Sequence, residues 1–268
     1  MVLTKYIRVQ RVVKFILPFY LFTFLPSAMM AQVGEYRTDF AVGVNGGYLM
    51  NQIGFTPDVP QNWAGSMTGG LSLRYTCEKY FKSICAVTAE VNLSQMGWDE
   101  KILDMQDQPV YYYLDDGQID VDNPLYYKRK ITYIQIPVLA RLGWGRERKG
   151  FQAFFQIGPQ IGIYHSESTD TNIIPGKYTT SQRASPVIEQ ETMPIENKFD
   201  YGITGGAGLE YSHPKLGHFL IEGRYYFGLG NIYGNSHEDF FAKSNHGTII
   251  IKMSYLFDII KTKNDKIK

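Results

Sequence analysis

The stretch from Ile136 to Tyr164 reads IPVLARLGWGRERKGFQAFFQIGPQIGIY and sets two apolar segments on either side of the charged connector GRERKG. In the second segment every other residue from Ala153 to Ile163 is apolar, and glutamine and glycine occupy most of the alternate positions. A period of two is typical of a β-strand with one apolar face. The stretch therefore predicts two antiparallel strands joined by a short turn.

The same alternation recurs along the chain, in eight segments that span residues 40–48, 66–75, 87–94, 133–142, 152–163, 201–211, 219–229 and 249–257. Their connectors run long, short, long, short, long, short, long, and comprise residues 51–64, 78–82, 97–125, 145–150, 166–198, 212–217 and 233–246. A soluble β-sandwich also alternates, but its connectors have no reason to be so regular. The pattern predicts an all-β fold, an eight-stranded antiparallel transmembrane β-barrel with short periplasmic turns and longer external loops.

Composition agrees with such a fold and excludes several classes. The chain has 268 residues, 44% hydrophobic and 20% charged, which does not indicate disorder. Its 20 Tyr, 16 Phe and 26 Gly are the usage of strands and tight turns. The net charge of +1 provides no field that would recruit nucleic acid, so no nucleic-acid partner is expected.

The N-terminus has the pattern of a secretory signal peptide. Four basic residues up to Lys14 precede an apolar run from Phe15 to Pro26, and small residues follow up to Ala31. The alternative is a transmembrane anchor, but the run is shorter than the roughly 20 residues that a spanning helix needs. We expect a signal peptide over 1–31, a barrel over 32–257 and a charged C-terminal tail over 258–268.

The inward face of the eight segments carries charged residues of both signs. They are Arg74, Glu90, Arg141, Asp200, Glu210, Glu222, Arg224 and Lys252. An eight-stranded barrel has an interior just wide enough for side chains to fill, and charges there are tolerated when paired. The equal numbers of cations and anions predict a closed, cross-linked lumen, with Lys252 as the expected partner of Glu222. The single-sign lining of a selective pore is missing.

Several motifs resemble one known family, the small outer-membrane β-barrels of Bacteroidetes that are called PorT-like or porin-family proteins. The motifs are VGVNGGY (42–48), YIQIPVLARL (133–142), QIGPQIGIY (156–164), DYGITGGAGLEY (200–211) and IEGRYYFGLGNI (221–232). The resemblance spans 37–257 and implies a place in the outer membrane of a Gram-negative bacterium. One named relative is implicated in assembling a protein secretion system, which implies a role in envelope assembly as one expectation.

The two cysteines lie in CEKYFKSIC, where Cys77 and Cys85 are symmetric about Phe81. If they are opposed across an antiparallel pair, their Cα atoms are about 4.5–5.5 Å apart, which a disulfide can span. An oxidising periplasm favours that bridge. The alternative is a pair of reduced thiols that face lipid.

Two groups of residues could serve a lipid-modifying enzyme at the outer rim. One is His165 beside Ser166, and the other is Ser236-His237-Glu238-Asp239 in the last external loop. Neither group is spaced to hydrogen-bond on a strand face as it stands, so the sequence predicts no catalytic residue.

Acidic residues also collect in one external loop, at Asp115, Asp116, Asp120 and Asp122. They lack the spacing of a calcium-binding loop, and a solvated loop is the favoured interpretation. The sequence predicts no metal site and no cofactor.

Two functions from different classes follow. The first is a non-enzymatic barrel with a side-chain-filled lumen that supports an envelope or secretion assembly, or whose external loops bind a partner. The partner would be a protein or glycan at 97–125 and 166–198, near Tyr111, Tyr112 and Tyr113, and outer-membrane lipid surrounds the barrel. The alternative is a lipid-modifying enzyme of the outer-membrane rim.

Overall fold

The computed structural model describes residues 35–80, 82–113, 119–173, 183–234 and 240–262. The proposed signal peptide and the last six residues of the tail lie outside these ranges. The strands are β1 (Glu35–Thr56), β2 (Gln61–Asn62), β3 (Ala64–Tyr80), β4 (Ser83–Glu100), β5 (Tyr111–Tyr113), β6 (Ile119–Pro124), β7 (Tyr127–Gly145), β8 (Gly150–Thr171), β9 (Phe199–His213), β10 (Gly217–Gly228) and β11 (Lys243–Ile260). In these ranges, no helix is long and apolar enough to cross a membrane.

Eight long strands close into a ring in the order β1-β3-β4-β7-β8-β9-β10-β11, and β11 returns to β1. Every neighbouring pair in the ring is antiparallel, which confirms the predicted eight-stranded barrel. The connectors 81–82, 146–149 and 214–216 are short and alternate with much longer ones at the opposite end. The short turns mark the periplasmic end, as is general for such barrels.

Several strands extend further to the outside than the sequence pattern predicts. β1 continues to Thr56, β7 begins at Tyr127 and β8 continues to Thr171. Beyond the membrane the outward face meets water, so polar residues such as Lys128 point outward and apolar residues such as Trp98 point inward. The sequence pattern misses these extensions because the apolar face changes from the outside of the barrel to its inside.

Within the membrane-spanning part, large apolar side chains cover the outward face. Met67, Leu71 and Met253 are 72%, 61% and 65% exposed, which suits contact with hydrocarbon. Near the periplasmic end two aromatic pairs, Phe151–Tyr211 and Phe219–Tyr255, each have ring centroids 5.0 Å apart. Aromatic girdles at the membrane interface are a general feature of transmembrane barrels.

The external end of the barrel holds an apolar core of its own. We call the strand extensions, the loops between them and this core the external dome. The core comprises Leu49, Ile53, Phe55, Val59, Met96, Trp98, Ile102, Val110, Leu125, Tyr127, Ile131, Tyr133, Val187, Ile195, Tyr226, Ile232, Tyr233, Phe241 and Ile250. It includes residues from the loops as well as from the strands, so the loops pack onto the barrel mouth.

Candidate functional site

The eight charged residues of the inward face all lie in the lumen. Each is buried, with 1% to 7% of its surface exposed. Seven of them join two ion-pair networks, which we call the central network and the lower network. Asp200 belongs to neither.

The central network connects opposite walls of the barrel. Arg224 on β10 donates from both terminal nitrogens to Glu90 on β4, at 2.9 and 2.7 Å. Lys252 on β11 contacts Glu90 at 2.6 Å and Glu222 at 3.2 Å, and Arg224 contacts Glu222 at 2.8 Å. Gln156 also donates to Glu222. Two anions and two cations therefore neutralise one another across the lumen, as buried charges require.

The lower network lies nearer the short turns and centres on Glu210 of β9. Arg74 on β3 donates to both carboxylate oxygens at 2.8 Å, and Arg141 on β7 donates to one of them. His218 on β10 places Nδ1 2.6 Å from Glu210 and Nε2 3.0 Å from Asp258. Five side chains from five strands thus close the lumen at this level.

His218 and Asp258 are members of this network that our sequence analysis missed. His218 stands next to a turn, and Asp258 falls in the stretch assigned to the charged tail. β11 in fact continues to Ile260, beyond the predicted strand end at Phe257. The signal was present, because Asp258 continues the inward series of Lys252, Ser254 and Leu256 at a period of two.

Ser212, His218 and Asp258 together have the atoms of a catalytic triad but not its chemistry. Ser212 Oγ lies 2.8 Å from His218 Nδ1. Both ring nitrogens of His218 also face carboxylates, an arrangement that suits an imidazolium, and an imidazolium cannot take a proton from Ser212. Ser212 is moreover fully buried, so no substrate reaches it.

Asp200 lies higher in the barrel, at the boundary with the apolar core of the dome. Its carboxylate accepts a hydrogen bond of 2.7 Å from the hydroxyl of Tyr226. His246 is fully buried nearby and contacts Tyr133, with ring centroids 5.3 Å apart. These groups form a small polar layer between the central network and the external core.

The GRERKG turn closes the periplasmic end. Arg37 on β1 pairs with Glu147 of the turn at 3.0 Å, and Lys79 approaches the same carboxylate at 3.4 Å. Arg148 donates to the carbonyl of Thr262 at 2.8 Å. We call these contacts the periplasmic latch. They account for two of the four charges in the connector, Glu147 and Arg148.

Residues 183–197 close the external end, and we call them the external plug. Arg129 of β7 donates to the carbonyls of Gln190 and Met193 at 3.3 and 2.7 Å. Tyr127 and Tyr233 donate to the carbonyls of Glu191 and Gln190, both at 3.1 Å. The plug contains one turn of 3-10 helix, Glu189–Glu191, and the side chain of Gln190 is fully buried.

A buried ion cluster fastens the plug to β4. Arg183 lies 3.3 Å from Glu100 and 2.7 Å from Glu191, so two carboxylates face this one guanidinium. Glu100 is well outside the membrane, since the last lipid-facing apolar residue of β4 is Leu93. Burial raises the pKa of Glu100 to about 7 despite the nearby Arg183, and it also raises the pKa of Glu191.

The residues considered for enzyme chemistry do not form a site in the part of the chain that the structure describes. His165 is exposed on β8 and makes no side-chain hydrogen bond to Ser166 or to any other described residue. The group 236–239 lies outside the described residues.

The acidic loop considered for calcium binding is described only in part. Asp115 and Asp116 lie outside the described residues, and Asp122 is exposed. Among the described residues no group of three or more His, Cys, Asp or Glu is arranged to hold a metal ion.

The two cysteines are free thiols in the structure, and the predicted direct opposition is wrong. The pairing of β3 with β4 shifts between Thr76 and Glu78, so that Glu78 rather than Cys77 stands opposite Cys85. Such a β-bulge places two residues of one strand against one of the other. Cys77 is the extra residue, so it remains beside Cys85, and a disulfide between them stays a prediction.

A closed eight-stranded ring with an apolar outer belt and a charge-paired lumen defines a small outer-membrane β-barrel. The family comparison agrees: the outer membrane protein beta-barrel domain matches residues 30–234, and the chain belongs to this family. The protein is therefore located in the outer membrane of a Gram-negative bacterium. No curated protein matches the chain.

Three solved structures align with most of the chain at low identity. Ail of Yersinia pestis, in complex with the heparin analogue sucrose octasulfate, is 13% identical over 81% of this chain and 99% of its own, with a TM-score of 0.32. OprG of Pseudomonas aeruginosa is 13% identical over 84% and 98%, with a TM-score of 0.37. The outer membrane enzyme PagL is 9% identical over 81% and 98%, with a TM-score of 0.32. Likeness at this level carries no information about function.

Proposed function

We propose that the protein is a sealed, non-enzymatic barrel that acts through its external dome, by binding a partner or by supporting an envelope or secretion assembly. The observation that carries the proposal is closure at three levels: the periplasmic latch, the two ion-pair networks and the external plug. Among the residues that the structure describes, a barrel closed in this way leaves no path for solute. Such a barrel therefore acts through the outer surface of its dome.

The dome is suited to present a binding surface because its loops rest on a packed core. Trp98 and Phe55 pack edge to face with ring centroids 5.3 Å apart, and both are buried. On the outside, Trp63 and Met105 are 49% and 73% exposed, and both lie in external connectors. Aromatic residues and methionine are enriched where proteins contact one another, so these two side chains are candidate contact residues.

On this proposal the chain is a PorT-like barrel of Bacteroidetes, exported by a signal peptide over 1–31. Its partner binds at 97–125 and 166–198. The rim-sited lipid-modifying enzyme is the less favoured alternative, because His165 lacks the hydrogen-bonded partner that a catalytic base requires.

Affinity capture from native outer membranes tests the proposal, with the mature wild-type protein compared with the double variant Met105→Ser and Trp63→Ser. The wild type should retain a defined protein or glycan that the variant loses. As a control, Val138→Ser changes an apolar residue of the lipid-facing belt and should leave capture intact. Equal capture by all three proteins would contradict the proposal. A modified lipid A species that disappears in His165→Ala cells would favour the enzyme instead.

A further inference from the structure

We propose that the lipid-facing surface of β9, β10, β11 and β1 binds an anionic phospholipid of the periplasmic leaflet. A groove of about 520 Å³ crosses these four strands near their periplasmic ends. Apolar side chains line it, among them Val44, Leu209, Ile221 and Met253. Pockets for small ligands have about this volume, and the position within the membrane belt makes an acyl chain the natural occupant.

The groove exists because of side-chain size and strand register. Ile221 stands opposite both Met253 and Leu209, and Gly46 stands opposite Met253, so a position without a side chain adjoins the apolar row. A Cβ built on Gly46 would meet only the carbonyl oxygen of Thr68, at 3.8 Å. The surface is therefore recessed at Gly46.

Aromatic rings flank the groove at the level of the membrane interface. Phe151 and Tyr211 form one pair, and Phe219 and Tyr255 form the other. The hydroxyl of Tyr255 donates to the carbonyl of Leu216 at 2.6 Å and so ties the groove to the turn between β9 and β10. Aromatic side chains at this level lie where head groups meet acyl chains.

Two lysines extend beyond the aromatic pairs. Lys215 lies in the turn 214–216, and Lys149 lies two residues before Phe151 in the GRERKG turn. Both are exposed, and neither has an ion-pair partner among the described residues. Because Phe151 stands opposite Tyr211 in the register, both lysines are at the same end of the groove. This charge favours an anionic over a zwitterionic head group, since each cation at a membrane surface adds to the attraction.

Native mass spectrometry of the full-length mature protein tests the site, with phosphatidylglycerol and phosphatidylethanolamine offered in equal amounts. The wild type should retain one phosphatidylglycerol, about tenfold in preference to phosphatidylethanolamine. The double variant Lys149→Gln and Lys215→Gln should lose that preference. Gly46→Leu should lose retention of both lipids because the new side chain fills the recess.

Matched controls separate the groove from general effects. Lys101→Gln with Lys130→Gln removes two exposed lysines at the external end, and Ala140→Leu adds bulk to the lipid-facing side of β7. Both controls should bind as the wild type does. If Gly46→Leu does not fold by its heat-modifiable gel shift, Val44→Phe is the groove-filling variant.

Equal retention of the two lipids by the wild type would overturn the proposal, as would loss of preference in the Lys101/Lys130 control. A disulfide-linked dimer of the Val44→Cys or Met253→Cys variant would overturn it as well, since a second copy would then occupy the groove.

Discussion

The middle of the barrel and the external dome enclose one continuous interior but fill it in different ways. In the middle, strands supply every wall, and Glu90, Arg224 and Lys252 meet across the lumen as ion pairs. In the dome, loops fold inward, and aromatic residues such as Phe55, Tyr233 and Phe241 pack as they do in a soluble protein.

The difference follows from the medium that surrounds each region, which is lipid for the middle of the barrel and water for the dome. The outward face in the membrane must be apolar, so the inward face receives the polar residues, and these are tolerated only in neutral groups. The dome stands in water, so its apolar residues turn inward and gain free energy by burial. Damage to the middle should therefore affect the whole barrel, whereas damage to the dome should remain local.

The largest expected effect is that of Glu90→Leu, which leaves Arg224 and Lys252 buried with only Glu222 as counter-charge. Breaking a buried pair typically costs about 3–5 kcal/mol. Thermal unfolding in detergent, read by the heat-modifiable gel shift, measures the loss. Tyr225→Leu on the lipid face is the control and should cost little. A loss for Tyr225→Leu equal to that for Glu90→Leu would mean that the two faces are reversed.

Trp98→Ala tests whether damage to the dome leaves the membrane-embedded barrel intact. The side chain is fully buried against Phe55, and its removal should cost the dome about 3 kcal/mol. Limited proteolysis of the external plug should accelerate, while the unfolding temperature of the membrane-embedded barrel changes much less. A global loss as large as that of Glu90→Leu would contradict the separation of the two regions.

The pH dependence of the dome should come from Glu100. Its pKa is raised from 4.5 to about 7 in the folded protein, so the folded dome holds this proton more tightly than the unfolded chain does. The contribution of Glu100 to stability is thus greatest below pH 4.5, falls as the pH rises from 4.5 to about 7 and levels off above that, with a total loss of about 3 kcal/mol. Hydrogen exchange of the external plug at pH 5 and pH 8 measures the change. Glu100→Gln should remove most of the difference, with a smaller part left to Glu191, whose pKa is also raised by burial. An unchanged difference in that variant would refute the assignment.

The smallest effect is expected at the periplasmic latch. Glu147→Gln removes the charge that faces the buried Arg37 and the half-buried Lys79. The amide oxygen can still accept a hydrogen bond, so the change should cost about 1 kcal/mol. Trypsin should cut the GRERKG turn faster in the variant, with little change in unfolding temperature. Arg146→Gln is a suitable control, because it alters an exposed charge of the same turn. If trypsin cuts the wild type and Glu147→Gln at the same rate, at a site of the turn that both proteins contain, the latch does not hold the turn.

Sequence alternation was sufficient to predict the barrel because each strand in the membrane has one lipid-facing side. The same reasoning marked Glu222 and Lys252 as neighbours, and the register sets them opposite each other. It was not carried far enough to include Asp258, which continues the alternation of β11 but was assigned to the charged tail. It did not reach His218, because this residue follows a turn at the start of β10.

The packing of the dome could not be predicted from the sequence, for a different reason. The residues 183–197 have no periodicity, and their place is fixed by contacts with distant residues such as Arg129 and Glu100. The bulge at Cys77 is similar, because a single extra residue in one strand leaves no trace in the composition of the hairpin.

Conductance in planar bilayers tests most directly the claim that the barrel is sealed at several levels. The wild type should form no stable channels. A variant in which 184–196 are replaced by a short Gly-Ser linker should also be silent, because the central and lower networks still fill the lumen. Stable channels in the wild type, or in the plug-deleted variant with its networks intact, would contradict the account.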